Sequence, residues 1–176
     1  MGEIKSYPPC VQLIGAFSRY GDALDWVWER VRLVWGEIPL LSERFAFRES
    51  EYYHRTMGEG LWKQFAVCQP FYDPGCLSAD KRTTNEWEDE YASVASYSEA
   101  RPLNIDPGYL ALTKLVLAST KNREHRIYLQ DGVYAEVTLA FRDQKWNAMP
   151  WTYPDYQRDD FQAFFTEARR YLLNCR

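Results

Sequence analysis

The residues in this sequence best suited to chemistry gather in its second half. In "PLNIDPGYL", Asn104 and Asp106 alternate with Leu103 and Ile105, so an extended chain sends the two polar side chains to one side. Pro107 then suits the first residue of a helix, with Asp106 as its cap. A helix start also exposes backbone N–H groups that receive phosphate or carboxylate, and an aspartate there can hold Mg2+ or orient a hydroxyl. Capping and ligand or metal contact both stay open for Asp106. Lys114 interrupts "LALTKLVLA", and its ammonium must reach water, a carboxylate or an anionic ligand.

A second set lies in "HRIYLQDGVYAEVTLAF", two alternating runs around a glycine. A two-residue Asp131-Gly132 turn would set Ile127 beside Glu136 and mix apolar with charged groups. A three-residue loop of Gln130, Asp131 and Gly132, with Gly132 at positive φ, instead pairs Leu129 with Val133 and Ile127 with Ala135. The other face then carries Tyr128 opposite Tyr134 and Arg126 opposite Glu136. That charge pair reads either as an ordinary surface pair or as ligand-facing. In this register His125 falls on the apolar side near Val137, as a tucked side chain or a general base. The ligand-facing reading gives Lys114 and Arg126 to phosphate and Asp106 to Mg2+ or substrate positioning, with Glu136 as proton acceptor. Asn104 and the rings of Tyr128 and Tyr134 complete its binding surface. In "PWTYPDY", Trp151, Tyr153 and Asp155 either pin a proline-restricted loop or form one wall of a cleft.

These residues need a scaffold, and the hydrophobic pattern supplies one. "CVQLIGAF" reads as a strand. From Asp22, apolar residues recur at steps of three and four through Leu24, Val27, Trp28, Val31, Val34 and Trp35, a helix stopped by Gly36. "GEIPLLSERFAF" and "LWKQFAVC" read as strands, separated by an irregular excursion "ESEYYHRTMGEG". A second helix is expected over 78–95, its acidic run Glu86, Glu88, Asp89 and Glu90 facing water. Tyr109 to Ala118 reads as a buried helix. The final helix, about 159–172, sets Phe161, Phe164, Phe165, Ala168 and Leu172 on one side. The expected fold is a single α+β domain spanning 1–176. Its sheet is mixed or antiparallel with helices packed mainly on one face, and a ferredoxin-like variant fits.

Composition narrows the functional classes. At 176 residues, 46% of them hydrophobic and 16% aromatic, the chain can build a large core and still leave aromatic surface for recognition. A net charge of −4 provides no global field for nucleic acid, which disfavours that partner. "MGEIKSYPPC" has no apolar signal region and no run is long enough to span a bilayer, which points to the cytoplasm with no membrane partner. Cys10, Cys68, Cys76 and Cys175 lack a CxxC pair and read as free thiols. No phosphate loop, dinucleotide fingerprint or GxSxG elbow is present, and "MGEGLWK" lacks the spacing and hydroxyl of the first.

The segments "LNIDPGYL", "KLVLAST", "HRIYL", "GVYAEVTL" and "PWTYPDY", with "EYYHRTMG", resemble an uncharacterised bacterial family catalogued as domain of unknown function 4416. The resemblance extends over almost the whole chain and implies no mechanism. Two classes of function follow from the residues. One is a domain that binds or acts on an anionic small molecule, such as a nucleotide or phosphorylated metabolite, with Mg2+ as its candidate cofactor. The other is a scaffold whose aromatic surface docks a protein partner or a second copy.

Overall fold

A computed structural model describes residues 2–47 and 51–175. The chain runs through β1 (Cys10–Ser18), α1 (Gly21–Trp35), β2 (Leu40–Leu41), β3 (Phe45–Phe47), α2 (Glu51–Met57) and β4 (Leu61–Pro70). It continues through α3 (Leu77–Val94), β5 (Asn104–Ala111), β6 (Lys114–Ser119), β7 (Ile127–Gln130), β8 (Val133–Arg142), β9 (Lys145–Ala148) and α4 (Asp159–Asn174). Among the described residues these strands form one nine-stranded sheet, ordered β2, β4, β1, β5, β6, β8, β7, with β3 also on β4 and β9 also on β8. Every pairing is antiparallel. The domain is thus α+β with an antiparallel sheet, larger than the unit of a ferredoxin-like fold.

Strand β1 is buried along its whole length, which explains its mostly apolar sequence, and its polar side chains are hydrogen-bonded, Gln12 to Asp80 and Ser18 to the Pro102 carbonyl. Its alternate residues feed two cores. Ile14 and Ala16 pack with Leu24, Val27, Trp28 and Val31 of α1 and with Trp87 and Tyr91 of α3. Val11 and Leu13 pack with Phe65 and with Phe161, Phe165, Ala168 and Leu172 of α4. α1 and α3 therefore cover one face and α4 the other. Glu51–Met57 forms a short helix where an irregular segment was expected, and Met57 is buried against Phe17 and Phe47.

The largest departure from the sequence reading is at "NIDPGYLALTKLVLA". It forms the antiparallel hairpin β5–β6, so Asp106 caps no helix. Strands buried between neighbours on both sides give the same continuous apolar run as a buried helix, and ladder pairing with β1 and β8 decides between them here. Gly108 makes the hairpin possible, because a Cβ there would stand 2.3 Å from the Val116 carbonyl oxygen on the adjacent strand. Gly108→Ala should therefore cost about 1–3 kcal/mol or more, read from urea unfolding, since backbone must move to admit it.

The β7–β8 hairpin corrects the expected loop length. Asp131 and Gly132 both take positive φ, 53° and 76°, as a two-residue turn matched to strand twist requires. Gln130 pairs with Val133, and a register shift between Tyr128 and Gln130 restores the expected Tyr128–Tyr134 and Ile127–Ala135 pairs. Leu129 therefore does not face Val133, and β7 is exposed throughout. No helix among the described residues is long and apolar enough to cross a membrane. All four thiols are free, and burial pushes Cys10 up to about 11 and Cys68 up to about 12, which leaves both protonated at neutral pH.

Candidate binding site

The ladder between β5 and β6 stops at Gly108–Leu117, although both strands continue. Pro107, next along, has no N–H with which to extend it. Residues 104–107 of β5 and 118–119 of β6 part, and a cavity of about 180 Å3 opens between them. Asn104 and Asp106 line it from β5, Leu117, Ala118 and Ser119 from β6, and Glu136 from β8. Lys63 of β4 and the 3-10 turn Pro154–Gln157 close one side, while Lys81 and Asn85 reach it from α3. Thr120, Lys121 and Tyr153 are exposed at its rim, and Lys63, Lys81, Asn104, Glu136 and Asp155 are buried in its wall.

Each buried charge has a partner, as the cost of desolvation demands. Lys63 Nζ, on a residue only 2% exposed, donates to Asp155 Oδ2 at 2.6 Å. The rings of Phe17, Phe47, Phe65, Tyr156 and Phe161 stand within 6 Å of that ammonium, Tyr156 nearest at 4.3 Å. Lys81 Nζ donates to the Ile105 carbonyl at 2.8 Å and lies 3.6 Å from Asp106 Oδ1. Asp106 Oδ2 accepts from Asn104 Nδ2 at 2.9 Å, and Asn104 Oδ1 accepts from Arg101. Arg101 in turn holds Glu88, whose other oxygen accepts the Ile105 N–H at 2.7 Å. Across the cavity Arg126 donates to Glu136 at 2.6 Å, to Ser119 Oγ at 2.7 Å and to the Lys121 carbonyl at 2.9 Å. Burial of the Tyr53 phenol, with the Asp106 charge beside it, pushes its pKa upward, so it remains a hydroxyl donor.

The candidates named from sequence separate into two groups. Asn104, Asp106, Arg126, Glu136, Tyr153 and Asp155 line this one cavity. Lys114 does not; it begins β6, roughly 16 Å of strand away from Ser119. Tyr128 and Tyr134 pack edge to face outside the cavity, their centroids 5.4 Å apart. His125 is not on the apolar side of a strand but in a turn, stacked on Trp151 at 5.0 Å, with Nε2 3.2 Å from Glu136 Oε2. Trp151 also donates Nε1 to the Val137 carbonyl. His125 thus approaches Glu136 and Trp151 holds His125, and neither lines the cavity. Asp106 has its oxygens beside an amide and an ammonium, and among the described residues no three His, Cys, Asp or Glu side chains are grouped to hold a metal ion.

Lined by buried charges and by the rings of Phe17, Phe47 and Tyr53, the cavity is a binding surface. A family model described as Domain of unknown function (DUF4416) matches residues 8–171. The chain belongs to the DUF4416 family. No curated protein and no solved structure matches it. The matched span contains every residue of the cavity in this DUF4416 chain.

Sequence reasoning missed Lys63, Lys81, Arg101 and Tyr156, and took Glu88 as part of a solvated acidic face. A signal was present for three of them. Lys63 interrupts an apolar strand as Lys114 does, and Lys81 and Glu88 share the helical stripe of Thr84 and Tyr91, a core-facing stripe where unpaired charge cannot stay. Burial raises the Glu88 carboxyl above its ordinary value, against the pull of Lys81 and Arg101. Burial likewise raises Asp80, against hydrogen bonds from Tyr72 and Gln12. A carboxyl raised in the folded state binds its proton more tightly there than in the unfolded chain. Its contribution therefore grows as pH falls through the folded value and is complete below the unfolded one. The stability of wild type minus that of Asp80→Asn should accordingly increase as pH falls from neutral toward the unfolded value of about 3.9, measured by urea midpoints. A difference that shrinks on acidification would contradict this.

Proposed function

We propose that the cavity binds a small anionic metabolite, with a phosphoryl or carboxylate group held by its cations. One observation supports this above the others. Among the described residues, Lys63, Lys81, Arg101, Lys121 and Arg126 line the cavity with Asp106, Glu136 and Asp155, a gathering of cations in a chain whose net charge is −4. Concave sites with a few convergent polar groups and aromatic walls are the usual form of small-molecule sites. A cavity of about 180 Å3 suits a compact metabolite such as a phosphorylated one. In an enzymatic version Asp106 or Glu136 accepts a proton while Arg126 stabilises the anion.

The test is thermal unfolding against a panel of phosphates and carboxylates. A ligand at a hundred times its Kd should add about 2.7 kcal/mol to stability, and Arg126→Ala should abolish the shift. A shift that survives Arg126→Ala would place binding elsewhere. A second reading rests on the edge strand β7, where Ile127 is 73% and Tyr128 58% exposed. A partner that adds a strand there would require those residues, and Ile127→Lys should then disrupt a complex seen by gel filtration while leaving metabolite binding unchanged.

A further inference from the structure

Among the described residues, three carboxylates line the cavity, and they differ in what can reach them. The side chains of Glu136 and Asp155 are 3% and 5% exposed, each closed against a cation, Arg126 for the first and Lys63 for the second. The Asp106 side chain is 27% exposed, so of the three it is the one that a molecule entering the cavity touches. Its two oxygens are not equivalent. Oδ2 accepts from Asn104 Nδ2 at 2.9 Å. Oδ1 accepts no hydrogen bond among the described residues, because Lys81 Nζ, 3.6 Å away, donates instead to the Ile105 carbonyl at 2.8 Å.

The carboxylate is also held in place. Asn104 is buried, and its Oδ1 accepts from Arg101, so its amide must present Nδ2 to Asp106. Glu88 fixes this arrangement from α3, accepting from Arg101 at one oxygen and from the Ile105 N–H at the other. Continuing the β5–β6 register beyond Gly108–Leu117 sets Asp106 opposite Ser119, the residue to which Arg126 donates at 2.7 Å. The parted strands thus carry a carboxylate with one oxygen open on one wall and a guanidinium on the other.

Charge decides what can meet the open oxygen. A second anion there would be repelled by Asp106 itself. An ammonium would stand beside Lys81, a like charge already close to the same oxygen. A neutral hydroxyl satisfies the oxygen and meets neither penalty. Resting on the proposed anion site, we infer that the ligand is a hydroxylated anion, its charge toward Lys121 and Arg126 and its hydroxyl donating to Asp106 Oδ1. Carboxylate and phosphate serve alike as the charged end. Asp106 is then the residue that determines specificity, since a site built to hydrogen-bond a ligand hydroxyl rejects the analogue that lacks it.

The experiment is calorimetric titration with anions matched in charge and differing in one hydroxyl: lactate and propionate, malate and succinate, glycerol phosphate and propyl phosphate. In at least one pair the hydroxylated member should bind wild type about tenfold more tightly. That comparison needs no variant. Asp106→Asn keeps the side chain's size and an oxygen for Asn104, and Lys81 keeps the Ile105 carbonyl, so the urea midpoint should stay close to that of wild type. In this variant the two members of the pair should move in opposite directions. The hydroxylated anion should weaken severalfold, and its partner should tighten because a negative charge has left the cavity. A purely structural role for Asp106 would move both the same way. Equal affinities within every pair, or a parallel change of both members in Asp106→Asn, would overturn the inference and spare the anion site. Tighter binding of the amino counterparts alanine and aspartate than of lactate and malate would overturn it as well. Absence of binding by all of these anions would overturn both readings.

Discussion

Asp155→Ala is expected to cost about 3–5 kcal/mol of stability, because it strands the Lys63 ammonium in a ring of aromatic side chains with no counter-charge. Lys63 is only 2% exposed, so water can replace little of the lost carboxylate. The aromatic faces offset only part of the loss, about 0.5–2 kcal/mol for a desolvated cation over a ring. Removing both charges together, in Lys63→Met with Asp155→Leu, should recover most of the stability, since a buried ion pair is often no better than packed apolar groups of similar volume. Denaturant midpoints of the two single variants and the double variant form the cycle that tests this. A single variant that loses less than about 1 kcal/mol would mean that the pair opens to solvent.

The second large effect concerns Arg126, which joins β6, the turn after it and β8 through Ser119, the Lys121 carbonyl and Glu136. Glu136 is only 4% exposed, so Arg126→Ala leaves a buried carboxylate whose remaining ion-pair neighbour among the described residues is His125. A loss of about 2–4 kcal/mol is expected, together with loss of anion binding. Arg126→Lys separates the two consequences. It keeps the charge but cannot direct three donors in a fixed fork, so it should regain part of the stability and little of the ligand affinity. Unfolding and calorimetry on the same two variants distinguish these outcomes. Equal ligand affinity in wild type and Arg126→Lys would show that charge alone acts there.

The parts of the fold that sequence makes legible are those whose pattern has one solution. The stripes of α1 and α4 admit only a helix, and both appear within two residues of the expected bounds. The run through β5 and β6 has two solutions, a buried helix or a pair of buried strands, and the choice depends on neighbours far away in the chain. Pro107 pulls the reading toward a helix start, yet its real effect is to end a ladder and leave room for the cavity. The same limit governs the site. Asn104, Asp106, Arg126 and Glu136 are visible because they break local patterns on strands, and they do meet. Lys81 and Arg101 come from elements whose approach only the folded sheet determines.

The central claim is that the opening between β5 and β6 binds an anionic metabolite. Its most direct test is a titration of 15N-labelled protein with small phosphates, followed by amide and guanidinium shifts. The account predicts saturable changes at Asn104, Asp106, Ser119, Lys121 and Arg126, with one common Kd and little change at Lys114. Shifts scattered over the exterior, or centred on β7 and leaving Arg126 unmoved, would contradict it.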